Sequence, residues 1–110
     1  MESKLKDNNV DFLLSAILKL EDLDECYRFF EDLCTVQEIR AMAQRIVVAH
    51  MLKDGWVYGD IVAKTGASTA TISRVSRSLN YYGCDGYKTV FERMSDADIA
   101  LLPKRDEHDS

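Results

Sequence analysis

Residues 10–20 read VDFLLSAILKL, and this run constrains the fold more than any other stretch of the chain. Val10, Leu13, Leu14, Ile17 and Leu18 recur at the i, i+3, i+4, i+7, i+8 spacing of an amphipathic helix. Phe12 and Leu20 widen that stripe almost to the whole circumference. A helix apolar nearly all round has to be covered on several sides. A chain of 110 residues has room for one domain and a modest core. A core shared between two copies is therefore expected.

The remaining pattern is helical throughout. Asp24 is placed to cap a second helix carrying Tyr27, Phe30 and Leu33, with Cys26 on its apolar side. Thr35-Val36-Gln37-Glu38 has the form of a capping box, in which hydroxyl and carboxylate satisfy two backbone N–H groups reciprocally. Ile39, Met42, Ala43, Ile46 and Val47 then form the stripe of a long third helix, and Lys53-Asp54-Gly55 ends it. A short helix fits Val57 to Thr65, with Ile61 and Val62 facing inward. Gly66-Ala67-Ser68 interrupts it, and another helix runs from about Thr69 to Leu79 with Ile72, Val75 and Leu79 on one face. Tyr81-Tyr82-Gly83 closes that unit, and Gly86 to Met94 is long enough for a last short helix. With one Pro, five Gly and no strand-like alternation, the chain is expected to be all-α. The expected division is a flexible N-terminus over 1–8, one domain over 9–94, and an acidic, disordered tail over 95–110.

Several function classes are disfavoured. No run approaches the roughly 18 apolar residues of a membrane span. The N-terminus MESKLKDNNV lacks the apolar segment of a signal peptide, so a cytoplasmic location is expected. Cys26, Cys34 and Cys84 form no CxxC pair, which argues against a disulfide framework or a zinc site, and no cofactor is expected. A catalytic Cys34–His50 dyad has no local support.

Charge carries the strongest functional information. The formal net charge is -5, yet residues 61–84 hold Lys64, Arg74 and Arg77 and no acid. One short positive window against an acidic background is the electrostatic footprint of a phosphate-binding surface. The window coincides with two short helices joined by a Gly-containing turn, the helix-turn-helix arrangement, over about 57–80. Gly66 can take the positive φ that the turn needs. Ile61, Val62, Ile72 and Val75 are spaced to pack the two helices together. The second helix then offers Ser68, Thr69, Ala70, Thr71, Ser73, Arg74 and Arg77 to double-stranded DNA, with Lys64 beside them. Small residues at its start would let its N-terminus approach the groove and a phosphate.

The segments "LCTVQEIRAMAQRIVVAHMLKDG" and "DIVAKTGASTATISRVSRSL" resemble the Trp repressor family, and specifically its YerC/YecD-like branch in Gram-positive bacteria. The resemblance runs from about Val10 to Met94. It implies a Trp repressor-like helical domain with a helix-turn-helix, assembled as an intertwined homodimer whose N-terminal helices share one core. It also implies an effector pocket. The tryptophan-binding threonine, two arginines and serine of the family correspond to Thr35, Arg45, Arg74 and Ser78. The family's glycine beside the indole is Val75 here, and a pocket leucine is Asp32. An isopropyl group where the ring needs space, and a charge on an apolar wall, argue against L-tryptophan as ligand and for a vestigial pocket. Gly59 and Val62 stand where the Trp repressor has basic residues, so a different operator is expected.

The sequence thus points to a homodimeric, sequence-specific DNA-binding transcriptional regulator, repressor-like, reading a two-fold operator. The alternative is a helix-turn-helix module docking on a protein of the transcription machinery. An enzyme would need a polar cluster that the sequence does not offer.

Overall fold

The computed structural model describes residues 3–81 and 83–105. Tyr82 and the end of the expected tail, with His108, lie outside the described residues. The chain divides into two compact units, Met1–Ile39 and Arg40–Ser110. The described residues are helical, without a strand.

The first unit holds α1 (Asn8–Ile17), α2 (Leu23–Leu33) and the opening turn of α3 (Val36–Lys53). Asp7 caps α1 by accepting the Val10 N–H at 2.8 Å. The cap of α2 is Asp22 rather than the expected Asp24: its carboxylate accepts the Glu25 N–H at 2.8 Å. Asp24 falls instead in the first turn and pairs with Arg28 at 3.1 Å, one helical turn on. The expected capping box of α3 is formed. The Glu38 N–H donates to Thr35 Oγ1 at 3.1 Å, and the Thr35 N–H donates to Glu38 Oε1 at 2.8 Å. Hydrogen bonds from the Thr35 backbone, then from its side chain, hold the Glu38 carboxyl below the usual carboxylate range. Neither α1 nor α2 buries a single residue, and Phe12 and Leu18 are 78% and 84% exposed. Cys26, expected in a core, is half-buried.

The second unit contains the core: Val48, Ala49 and Met51 of α3 with Trp56, Ile61, Ala67, Ile72, Val75 and Phe91. Gly55, at φ +83°, ends α3 in a Schellman motif. Its N–H donates to the Leu52 carbonyl at 3.0 Å, and the Trp56 N–H to the Met51 carbonyl at 3.1 Å. Then follow α4 (Tyr58–Thr65), α5 (Thr69–Asn80), α6 (Gly86–Arg93) and α7 (Asp96–Ile99).

The last of these falls within the stretch expected from Ser95 onward to be a disordered tail. Ser95 and Asp98 form a second capping box, with N–H to side-chain distances of 3.2 and 3.0 Å. The Ser95 backbone and side chain hold the Asp98 carboxyl below its usual range. Ile99, Leu102 and Pro103 are half-buried, so the polar composition conceals a short apolar pattern.

Candidate nucleic-acid interface

The turn between α4 and α5 is built from hydrogen bonds that the short segment supplies itself. Gly66 adopts φ +73°, and its N–H returns to the Val62 carbonyl at 2.8 Å. Thr65 Oγ1 donates to the Ile61 carbonyl at 2.7 Å and accepts the Ala67 N–H at 3.1 Å. Ala67 is thereby turned into the core, where it is 2% exposed. Ile61 of α4 and Ile72 of α5 are fully buried in the shared core, and Val75 of α5 is 3% exposed in the same cluster. Val62 packs against the same core from a half-buried position.

The face of α5 left outside follows from the 3.6-residue turn, about 100° per residue. Thr69, Ala70, Ser73, Arg74 and Arg77 fall within one arc of the helix. Thr69, Ala70, Arg74 and Arg77 are exposed, whereas Ser73 is half-buried. Ser68 is exposed but serves as the N-cap of α5, accepting the Thr71 N–H at 3.1 Å and donating to Thr71 Oγ1 at 3.0 Å. Lys64 is exposed in the last turn of α4. No acid lies in the first turn of α5.

Two of the expected hydroxyls are therefore placed differently from the rest. Thr71 and Ser78 lie seven residues apart, nearly in line, on the flank of α5 beside the exposed arc. They line an open hollow of about 240 Å³ with Ala41, Gln44, Arg45, Arg74, Val75 and Tyr87. Four of the five residues assigned to a vestigial effector pocket, Arg45, Arg74, Val75 and Ser78, thus line one hollow. Thr35 belongs to the first unit and is occupied as the cap of α3. The hollow also receives Gln44 and Tyr87, which sequence reasoning missed. No local spacing marks Gln44, since neighbours on a helix point about 100° apart.

His50 is 5% exposed, edge-on to Phe91 at 4.9 Å. Its Nδ1 is 3.3 Å from Asp54 Oδ2 without the alignment of a hydrogen bond. Among the described residues no group of three or more His, Cys, Asp or Glu could hold a metal ion, and no helix is long and apolar enough to cross a membrane.

Residues 8–95 match the family described as Trp repressor protein. The chain is 53% identical over 101 residues to the uncharacterised protein YerC of Bacillus subtilis (strain 168), covering 92% of this chain and 96% of that one. A TrpR like protein from Eubacterium eligens ATCC 27750 superposes with a TM-score of 0.79 at 57% identity, covering 92% of this chain and 98% of that one. A candidate Trp repressor from Staphylococcus aureus has the same TM-score, 0.79, at 53% identity, covering 83% and 90% of the two chains.

Proposed function

Because the chain belongs to the Trp repressor family, we propose that it is a sequence-specific DNA-binding regulator acting through α4 and α5. The observation that carries this reading is the exposed arc of α5: Thr69, Ala70, Arg74 and Arg77, free of acid, beside a turn held by Gly66. Thr69 and Ala70, on the first turn, are short enough for the helix end to approach base edges in the major groove. Arg77 and Lys64 supply charge for flanking phosphates. Ser68 acts by fixing the start of the helix.

The working unit in this proposal is a homodimer. Phe12, Leu14 and Leu18 of α1, with Leu23, Tyr27 and Leu33 of α2, are exposed in a single chain. Exposed apolar surface on this scale is normally covered by a partner. Two copies would then present two α5 helices to half-sites about one turn, or about 34 Å, apart. Val75 puts an isopropyl group on the hollow beside Arg45 and Arg74, so the space an indole ring would need is partly filled from within. In this reading the hollow is vestigial or takes a smaller effector. A cytoplasmic location goes with the role.

Selection of bound duplexes from a random library, without added ligand, tests the proposal. An enriched two-fold site whose affinity falls steeply with salt is expected. Failure to enrich any sequence would favour the alternative, in which the helix pair docks on a protein of the transcription machinery.

A further inference from the structure

After α7 the chain returns to the elbow between α3 and α4. Arg105 Nη2 donates to the Asp54 carbonyl at 2.9 Å, across 51 residues of sequence. The guanidinium carbon of the same side chain lies 5.1 Å from the centroid of the Trp56 ring, within cation–π range. Leu102 and Pro103 are half-buried on the way. An open hollow of about 520 Å³ is lined by Met51, Trp56, Ile99 and Leu102 as well as by Arg105. The returning segment is therefore not packed shut against the elbow, and Arg105 is its polar tether.

The elbow matters because it sets the direction in which the helix-turn-helix leaves α3. Only the four residues Asp54–Val57 separate α3 from α4. Val57, the N-cap of α4, makes no side-chain capping hydrogen bond. The direction of α4 thus depends on how the C-terminal end of α3 is closed and on how Trp56 is seated. Arg105 engages both: Asp54 carries a carbonyl beyond the last helical turn, and Trp56 is the residue that completes the Schellman motif. A planar guanidinium can stack on a ring and donate in its own plane at once, which an ammonium cannot do.

We infer that Arg105 is a positioning residue for DNA reading: it clamps the Asp54–Trp56 elbow and so fixes the orientation of α4 and α5. The inference rests on the DNA-reading role of α5 proposed above. It predicts that sequence discrimination depends on a residue that need not touch DNA.

Trp56 is the sole tryptophan of the chain, so its emission reports the elbow directly. Arg105 is exposed, and its replacement removes no buried side chain. The unaltered protein, Arg105→Ala and Arg105→Lys are compared by Trp56 emission and by affinity for a selected duplex and for bulk DNA. For Arg105→Ala, the emission should change and affinity for the selected duplex should fall by about threefold to thirtyfold. Bulk-DNA affinity and its salt slope should stay as in the unaltered protein. Arg105→Lys should recover less than half of the loss, because it restores the charge and not the stacking. Unchanged emission together with unchanged discrimination would overturn the clamp. So would an equal loss on both duplexes with the salt slope reduced by about one, since that marks a direct phosphate contact. If the unaltered protein binds no DNA, the proposed function fails, and the clamp on the elbow stands or falls on the Trp56 emission alone.

Discussion

Gln44 of α3 donates from Nε2 to the backbone carbonyl of Thr65 at 3.2 Å, tying the long helix to the last turn before Gly66. That carbonyl is one of those a helix leaves without an intrahelical partner at its end. A side chain 21 residues away therefore completes the turn that presents α5. Gln44→Leu should lower stability by about 1 kcal/mol, the usual net worth of such a bond with some penalty for the part-buried acceptor. Urea denaturation measures the loss, and an unchanged midpoint would remove Gln44 from the account of the turn.

Two glycines are required for different reasons. Gly66 has open space where a Cβ would stand, but its φ of +73° strains any other L residue. Gly66→Ala should cost about 1–2 kcal/mol and leave the helices where they are. A Cβ on Gly83 would fall 1.7 Å from the Ser78 carbonyl oxygen, which is backbone and cannot rotate away. Gly83→Ala should therefore displace the end of α5. Backbone chemical shifts near Ser78 should move in Gly83→Ala and stay in Gly66→Ala.

Salt dependence separates the roles on α5. Arg77→Ala and Lys64→Ala should weaken binding to all duplexes and flatten the salt slope, each by about one unit. Thr69→Ala should instead change the preferred base at one position, by about 1–3 kcal/mol. Ser68→Ala should cost about 1 kcal/mol of protein stability through the lost cap, without changing sequence preference once folded. A selected site bound equally by Thr69→Ala and the unaltered protein would contradict the assignment of the reading face.

Calorimetry with L-tryptophan at millimolar concentration should show no heat of binding, and DNA affinity should not respond to it. Val75 is 3% exposed and lines the hollow with Arg45 and Arg74. Val75→Gly should cost about 2–4 kcal/mol, from lost packing and a glycine within a helix. Micromolar binding of tryptophan to the unaltered protein would defeat the steric argument.

Glu38 and Asp98, both held below the usual carboxylate range by their capping boxes, each contribute stability that acid removes. A lowered folded-state value means that stability is present above the unfolded value and is lost as pH falls through the folded one. Denaturation midpoints should thus fall between about pH 5 and pH 3. Glu38→Gln keeps an acceptor that does not ionise in this range and should flatten that limb. An identical acid profile in the variant would mean that the box does not set it.

Sequence alone determined what depends on neighbours three or four residues away. The Thr35–Glu38 box, the left-handed Gly55 and Gly66, and the bounds of α4 and α5 all rest on local hydrogen bonds and backbone sterics. The α2 cap was missed by two positions because Asp22 and Asp24 offer the same carboxylate, and only the helix start decides between them. Tertiary structure decided what joins distant segments. It put Arg45 on the same hollow as Thr71, set Gln44 on the Thr65 carbonyl, and brought Arg105 back to Asp54 and Trp56. None of these has a local cause: each depends on how helices far apart in sequence come together, so no short stretch of residues contains it.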